Sequence, residues 1–443
     1  MVSENDSSKV FYGLLFPKIF RTFRMAIQPT KLIITFSALV VICLAGWIMD
    51  FSETVVATEG TQGKITELDI YMTNPAQVDS YIEGFKGKSR GSGVFSTLWH
   101  FSATKFQGAV DSIFAHNIPG VVKNIVDYFK AVVWALRHHP VYCIVFFVIK
   151  LAVISIAGGA ICRIAALQFS RGEKPGLTEA LRFSKKRFTS FFTAPLVPVG
   201  IIIFIGLFIF LLGLIGNIPW AGELIMGIFM LLALIAGALI AVVLIGAFAG
   251  FNLMFPAVAY DGSDCFDAIS RSFSYVYAKP WRMGFYTTIA AVYGAICYTF
   301  ARFFTFLLLG VTHGTLQLGV WAENSKEVDK LTAIWPKPEF MNLLGSSGLA
   351  ITNWSESLAA FLVHLFLLAV VGLLVSFIIS FYFSANTIIY SLMRNKVDDT
   401  ALEDIYTYFD EAEMEPATTE SQPQQDQLQS EPKAEPDPSS SQQ

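Results

Sequence analysis

No aspartate or glutamate lies inside any of the six long apolar runs of this 443-residue chain, at 32–49, 141–162, 191–215, 224–250, 283–308 and 357–385. Ion coupling through a membrane-embedded carboxylate therefore has no residue to use in those runs. Histidine is scarce (six) and cysteine scarcer (five), and neither recurs at disulfide or metal-ligand spacing. Cys43, Cys143, Cys162 and Cys297 fall in apolar runs and Cys265 in a central segment, which reads as small buried side chains. Phosphate-binding loops, the dinucleotide fingerprint, the nucleophile elbow and His-Glu-x-x-His are all missing. The expectation is a chain without catalytic site, metal or cofactor, and with no nucleic-acid partner.

What is present is apolar bulk: 54% hydrophobic residues, 40 phenylalanines and a mean hydropathy of +0.54. Each run is long enough to cross a hydrocarbon core of about 30 Å. The fold class expected is an all-α polytopic membrane protein of about six transmembrane helices, with two amphipathic inner-surface helices and a small mixed outer segment. Run 32–49 reads as a retained signal anchor, since it is too long for a signal peptide and no cleavage site follows. Before it, 1–31 mixes phenylalanines with Lys18, Arg21, Arg24 and Lys31, a basic amphipathic segment suited to an anionic inner leaflet. Segments assigned inside carry 18 Lys and Arg and those assigned outside 11, eight of them in a loop too long to count. Both termini are therefore expected in the cytoplasm of a cell with a bacterial inner membrane. Trp47, Trp134, Trp220, Trp281 and Trp354 fall at run ends, as an aromatic belt requires.

In 51–140, an outer segment, Thr54–Ala57 and Lys64–Met72 are expected to pair across Gly60–Gly63, and Val110 to Val133 to be helical. The remaining boundaries are a membrane core at 141–310, an outer loop at 311–356, a last span at 357–385, a cytoplasmic segment at 386–410 and an acidic disordered tail at 411–443. That tail carries eight acids against Lys433 alone. Segments 51–140 and 411–443 are the places where protein partners are expected, alongside membrane lipids.

The central stretch, Ala257 to Arg282, reads as a short interfacial helix. Asp264 is an N-cap type, and Phe266, Ile269, Phe273, Val276 and Tyr277 share one face. Asp267 and Arg271 share the other, and Lys279, Trp281 and Arg282 are headgroup anchors. Leu177 to Phe188 looks like a second copy. Glu179, Ala180 and Leu181 superpose on Asp267, Ala268 and Ile269 at a displacement of 88 residues, each copy lying between two spans.

The pattern Phe255-Pro256-Ala257-Val258, an acidic-Gly pair, then Asp267-Ala268-Ile269 with Arg271-Ser272 before a further span, resembles the membrane domain fused to some bacterial glycerophosphodiester phosphodiesterases and related multi-pass proteins. It covers about 141–310. The resemblance implies a helical membrane module; the catalytic barrel of those fusions has no counterpart in this chain. Ala385 to Arg394, followed by Asp398 and Asp399, is distinctive but suggests no role.

Polar residues in or beside spans are the candidate intramembrane site: Lys150, His364, Arg302 and Glu223. An ionisable group at a helix centre costs about 2.5 to 3.5 kcal/mol on insertion scales. Lys150 has no acid at its depth, so it either contacts an anion within the bundle or snorkels outward. His364 can titrate or bond a neighbouring helix, and Arg302 and Glu223 are placed to meet as an interfacial pair. His138 and His139 read as a solvated helix end. The leading expectation is a membrane protein that organises or binds lipid or protein partners; the alternative is a transporter or channel built on the repeat, with a site near Lys150.

Overall fold

The computed structural model describes residues 15–52, 54–60, 63–85, 91–324, 328–345 and 352–406. Contacts divide the chain into a unit ending at Ile405 and a second from Tyr406 on. The expectation of a disordered tail at 411–443 lies outside the described residues.

The first unit is all-α apart from two small ribbons. A 3₁₀ turn (Phe16–Arg21) and α1 (Thr22–Ala26) lead into α2 (Pro29–Asp50). A small cap follows: β1 (Thr54–Val55), β2 (Ala57–Gly60), β3 (Gly63–Thr66), α3 (Glu67–Thr73), α4 (Val78–Phe85) and β4 (Ser92–Gly93). Two antiparallel helices, α5 (Val94–Phe114) and α6 (Ile118–His138), precede α7 (Pro140–Ser170), α8 (Leu177–Lys186), α9 (Phe188–Thr193) and α10 (Leu196–Gly216). Then come α11 (Ala221–Asp261), α12 (Cys265–Ala278), α13 (Pro280–Gly319), α14 (Lys330–Ile334) and α15 (Trp354–Val397). Six of these, α2, α7, α10, α11, α13 and α15, are long and apolar enough to cross a membrane.

Proline in the first turn opens α2, α7 and α13, where its fixed φ helps and its missing N–H costs nothing. At the α11–α12 turn Gly262 takes φ 61° and donates to the Val258 carbonyl, and the Asp264 carboxylate then accepts from the Asp267 amide at 3.0 Å. Helices α11, α13 and α15 have 41, 40 and 44 residues, about 60 Å or more each. That is about twice a hydrocarbon core, so each is longer than one crossing needs, and the ends of α11 and α15 pack with α7 into a layer.

That layer is the core of the molecule. Residues 157–167 of α7, 253–260 of α11 and 384–394 of α15 are continuously buried. By contrast, in the most apolar windows of α10 and α11 no residue is buried.

Several expectations change. Ile19, Thr22, Met25 and Ala26 are buried, and Ser380 donates to the Ala26 carbonyl at 2.9 Å. The described part of the basic N-terminal segment is thus wedged into the bundle on one side, while Phe20, Arg21, Arg24 and Ile27 are exposed on the other. Residues 67–73 are helix, not strand, because Thr66 and Asp69 form a capping box that stops β3. β2 pairs with β3 as Ala57↔Thr66, but β1 pairs with β4. The cap itself packs on two spans, Val55 and Leu68 sharing a buried cluster with Cys43 and Met49 of α2 and Tyr142 of α7. Val110 of α5 packs in a cluster with Ala295, Tyr298, Leu367 and Leu374, and Phe129 of α6 meets Phe248 at 6.2 Å. The apolar stripe Ile118, Val122, Ile125, Val133 and Leu136 on α6 is exposed, as a lipid-facing helix requires. Trp134 is fully buried in the cap cluster, whereas Trp220, Trp281 and Trp354 are more than 80% exposed, so Trp134 leaves the belt.

The central helix α12 packs along α11 and does not lie free on a surface. Its buried positions are Ala268, Ile269, Ser272, Tyr275 and Val276, while Phe266 is exposed and the Tyr277 hydroxyl donates to the Val242 carbonyl at 2.5 Å. The reason is local: Gly246 and Gly250 leave space that Phe273 and Ser272 occupy. In α8 the residues 88 positions earlier, Ala180 and Ser184, are likewise buried, and Ser184 donates to the Ser155 and Ile156 carbonyls of α7 at 3.0 and 2.7 Å.

Candidate functional site

Helix α15 organises the described polar chemistry with two of its faces. Ser376, Ser380, Ser384, Thr387 and Ser391, spaced four, four, three and four apart, form one buried stripe. Small hydroxyl residues let helices approach closely and supply hydrogen bonds across the contact. Lys31 of α2 is fully buried against this stripe, donating to Ser384 Oγ at 3.2 Å and Gln168 Oε1 at 3.1 Å. Both partners are neutral. Nearby, Arg163 of α7 donates to the Ala259 carbonyl at 3.0 Å and lies 4.5 Å over the Phe183 ring.

On another face of α15, Phe377, Phe381, Ala385 and Ile389 wall a cavity of about 300 Å³. Phe106 and Val110 of α5 and Ala290 and Gly294 of α13 form much of the rest. The size and apolar lining are those of a small-ligand site. Its polar groups are few and uncharged. The Tyr382 hydroxyl donates to Asn252 Oδ1, and Asn386 Nδ2 donates to the Tyr382 carbonyl at 3.0 Å. Asn252 Nδ2, Asn386 Oδ1 and the Thr287 hydroxyl have no partner among the described residues. At the far end the Tyr298 hydroxyl accepts from Arg302 Nη1 at 2.7 Å.

Beyond the stripe, the ends of α11, α12 and α15 converge on Asp261. Its carboxylate accepts from the Tyr390 hydroxyl and faces Arg394 at 3.2 Å and Arg271 at 3.5 Å. The chain after α15 folds back over this centre: Arg394 pairs with Asp404 at 3.1 Å, and the Leu402 carbonyl accepts from Tyr260 at 2.5 Å. Tyr275 donates to Asp398 at 2.5 Å, and burial together with that carboxylate pushes its phenol above its ordinary value. One carboxylate held by two guanidinium groups ties the end of α11 to the middle of α12 and the end of α15. No group of three metal-ligating side chains occurs among the described residues.

The residues singled out from sequence are not brought together. Lys150 is half-buried with no hydrogen bond or ion pair among the described residues, and His364 and Glu223 are exposed. Arg302 does not meet Glu223. It is buried and donates to the Phe340 and Met341 carbonyls at 3.0 and 2.9 Å and to Gln107, stapling 340–341 to α5 and α13. Asp267 and Arg271 do pair, at 2.9 Å, four residues apart on α12. Trp281 is exposed and Arg282 half-buried. His139 is buried, with Nε2 3.6 Å from Glu67, and His138 lies 3.7 Å from Asp79, so this pair is not a solvated helix end. The stretch 385–394 proves to be the buried heart of α15.

Sequence reading missed Asn252, Thr287, Asn386 and the serine stripe because it weighed only ionisable residues in the spans. The signal was there, in two asparagines amid apolar helix and in hydroxyls at near-four spacing. No family model, curated protein or solved structure matches this chain.

Proposed function

We propose that this is a non-enzymatic integral membrane protein of a bacterial inner membrane, with both termini cytoplasmic, that binds lipid in the cavity between α5, α11, α13 and α15. The observation that carries the reading is the cavity itself: about 300 Å³, largely apolar, with only neutral polar side chains, Asn252, Thr287, Tyr298, Tyr382 and Asn386, in its wall. The faces around it are apolar and exposed, so bilayer lipid is the surrounding solvent from which an occupant comes. The outer cap and the segment 411–443 are the places we assign to protein partners. We also keep 141–310 as a membrane module of the kind fused to phosphodiesterases, without that activity.

The test is mass spectrometry of the protein extracted with its surrounding lipid. A stoichiometric lipid is expected in the wild type and should be lost in Ala290→Phe, which fills the cavity at a buried wall position. Equal lipid in both proteins would remove the cavity from the function. A transporter reading draws on the matched burial of Ser184 and Ser272 and on the unpaired Lys150. It requires Lys150→Met to abolish uptake at unchanged folded yield.

A further inference from the structure

The cavity wall says which kind of lipid it can take. Among its lining residues there is no charged side chain. The cations nearest in the fold are already committed. Arg302, one turn beyond Tyr298, donates to two carbonyls, Gln107 and the Tyr298 hydroxyl. Lys105 of α5 pairs with Asp127 at 2.9 Å, and Lys31 serves the opposite, serine face of α15. A phosphate drawn in would surrender its hydration and meet no countercharge, which is prohibitive in an apolar wall. A hydroxyl or ester carbonyl loses far less, and finds Asn252 Nδ2 as donor, Asn386 Oδ1 as acceptor and the Thr287 hydroxyl as either.

We propose that the cavity selects a neutral amphiphile, a long-chain lipid whose head is an uncharged hydroxyl or ester such as a diacylglycerol, over an anionic phospholipid. This rests on the lipid-binding reading above, and the experiment separates the two. The full chain in nanodiscs doped with equal amounts of dioleoylglycerol and dioleoylphosphatidylglycerol is released into a native mass spectrometer. Dioleoylglycerol should be retained over the phospholipid by about tenfold, the worth of one or two hydrogen bonds. Asn386→Leu and Thr287→Val should each bring the ratio toward one without changing folded yield, the second substitution leaving the Asn386–Tyr382 bond intact. Ala290→Phe should expel either lipid. Dioleoylphosphatidylglycerol held equally or better, yet expelled by Ala290→Phe, overturns the neutral head and keeps the lipid cavity. Retention of neither lipid, or retention indifferent to Ala290→Phe, overturns both.

Discussion

The α10–α11 hairpin is the more uniformly apolar of two regions, yet it is buried nowhere in its most apolar windows, whereas the layer built by α7, α12 and the ends of α11 and α15, which carries Arg163, Asp261 and several hydroxyls, has long continuously buried runs. Glycines show why. A Cβ at Gly200, Gly206 or Gly213 of α10 would meet nothing within 4 Å. One at Gly159 of α7 would lie 2.5 Å from Ser184 Oγ and 2.7 Å from the Phe191 ring, and one at Gly158 2.6 Å from Phe383. In lipid, apolar side chains have no preference for each other over acyl chains, so hydrophobicity does not choose between these fates. Close backbone approach and polar groups that need partners do.

If the layer is held by its polar centre, Asp261→Ala has the largest effect. It leaves Arg394 and Arg271 without their shared carboxylate, and a cost of about 3 to 5 kcal/mol is expected, seen as a large loss of thermal stability in detergent. An unchanged melting temperature would mean that the clamp is incidental.

Gly159→Ala comes next. Overpacking against Ser184 and Phe191 should cost about 1 to 3 kcal/mol, while Gly206→Ala in the open hairpin should be neutral or stabilise by up to about 1 kcal/mol. Equal effects of the two would dissolve the contrast between the regions.

Lys31→Met runs the other way. A fully buried ammonium with two neutral acceptors is replaced by an apolar chain of similar length, and stability should hold or rise by about 1 kcal/mol or more. A fall in melting temperature would instead assign Lys31 an essential bond to Ser384 and Gln168.

The smallest effect concerns pH. Tyr275 has its phenol raised by burial and by Asp398, so its contribution is whole below the ordinary tyrosine value of about 10. It is lost as pH rises from there toward the folded value, because the unfolded phenol ionises first. Tyr275→Phe should flatten that alkaline limb of the stability profile and leave the neutral region nearly unchanged. A limb of the same steepness in both proteins would assign it elsewhere.

Much of the fold was legible because it follows from local chemistry. Run length identifies the six apolar helices, and Asp264 starts α12. The ends slipped: apolar runs closing at 162, 250, 308 and 385 belong to helices that continue on more polar residues to Ser170, Asp261, Gly319 and Val397, and Thr66 and Asp69 turned an alternating stretch into helix. The candidate site was scarcely legible. Lys150, His364 and Glu223 drew attention as charges or titratable groups in apolar runs, but a side chain at a lipid-facing or half-buried position makes no site unless others converge on it. Asn252, Thr287 and Asn386 are separated by up to 134 residues, and only the packing of α15 against both α11 and α13 brings them to one wall.

By itself the sequence determined that this chain is helical and apolar enough to cross a membrane, and about where its long helices begin. Those are properties of segments, set by run length, capping and backbone chemistry. Which apolar surface faces lipid and which is core, that Lys31 and Asp261 are buried, and that neutral groups meet around a cavity were decided only in the tertiary structure. They depend on which backbones come close, and in a chain so uniformly apolar that is controlled by a few glycines and hydroxyls whose partners lie far away in sequence.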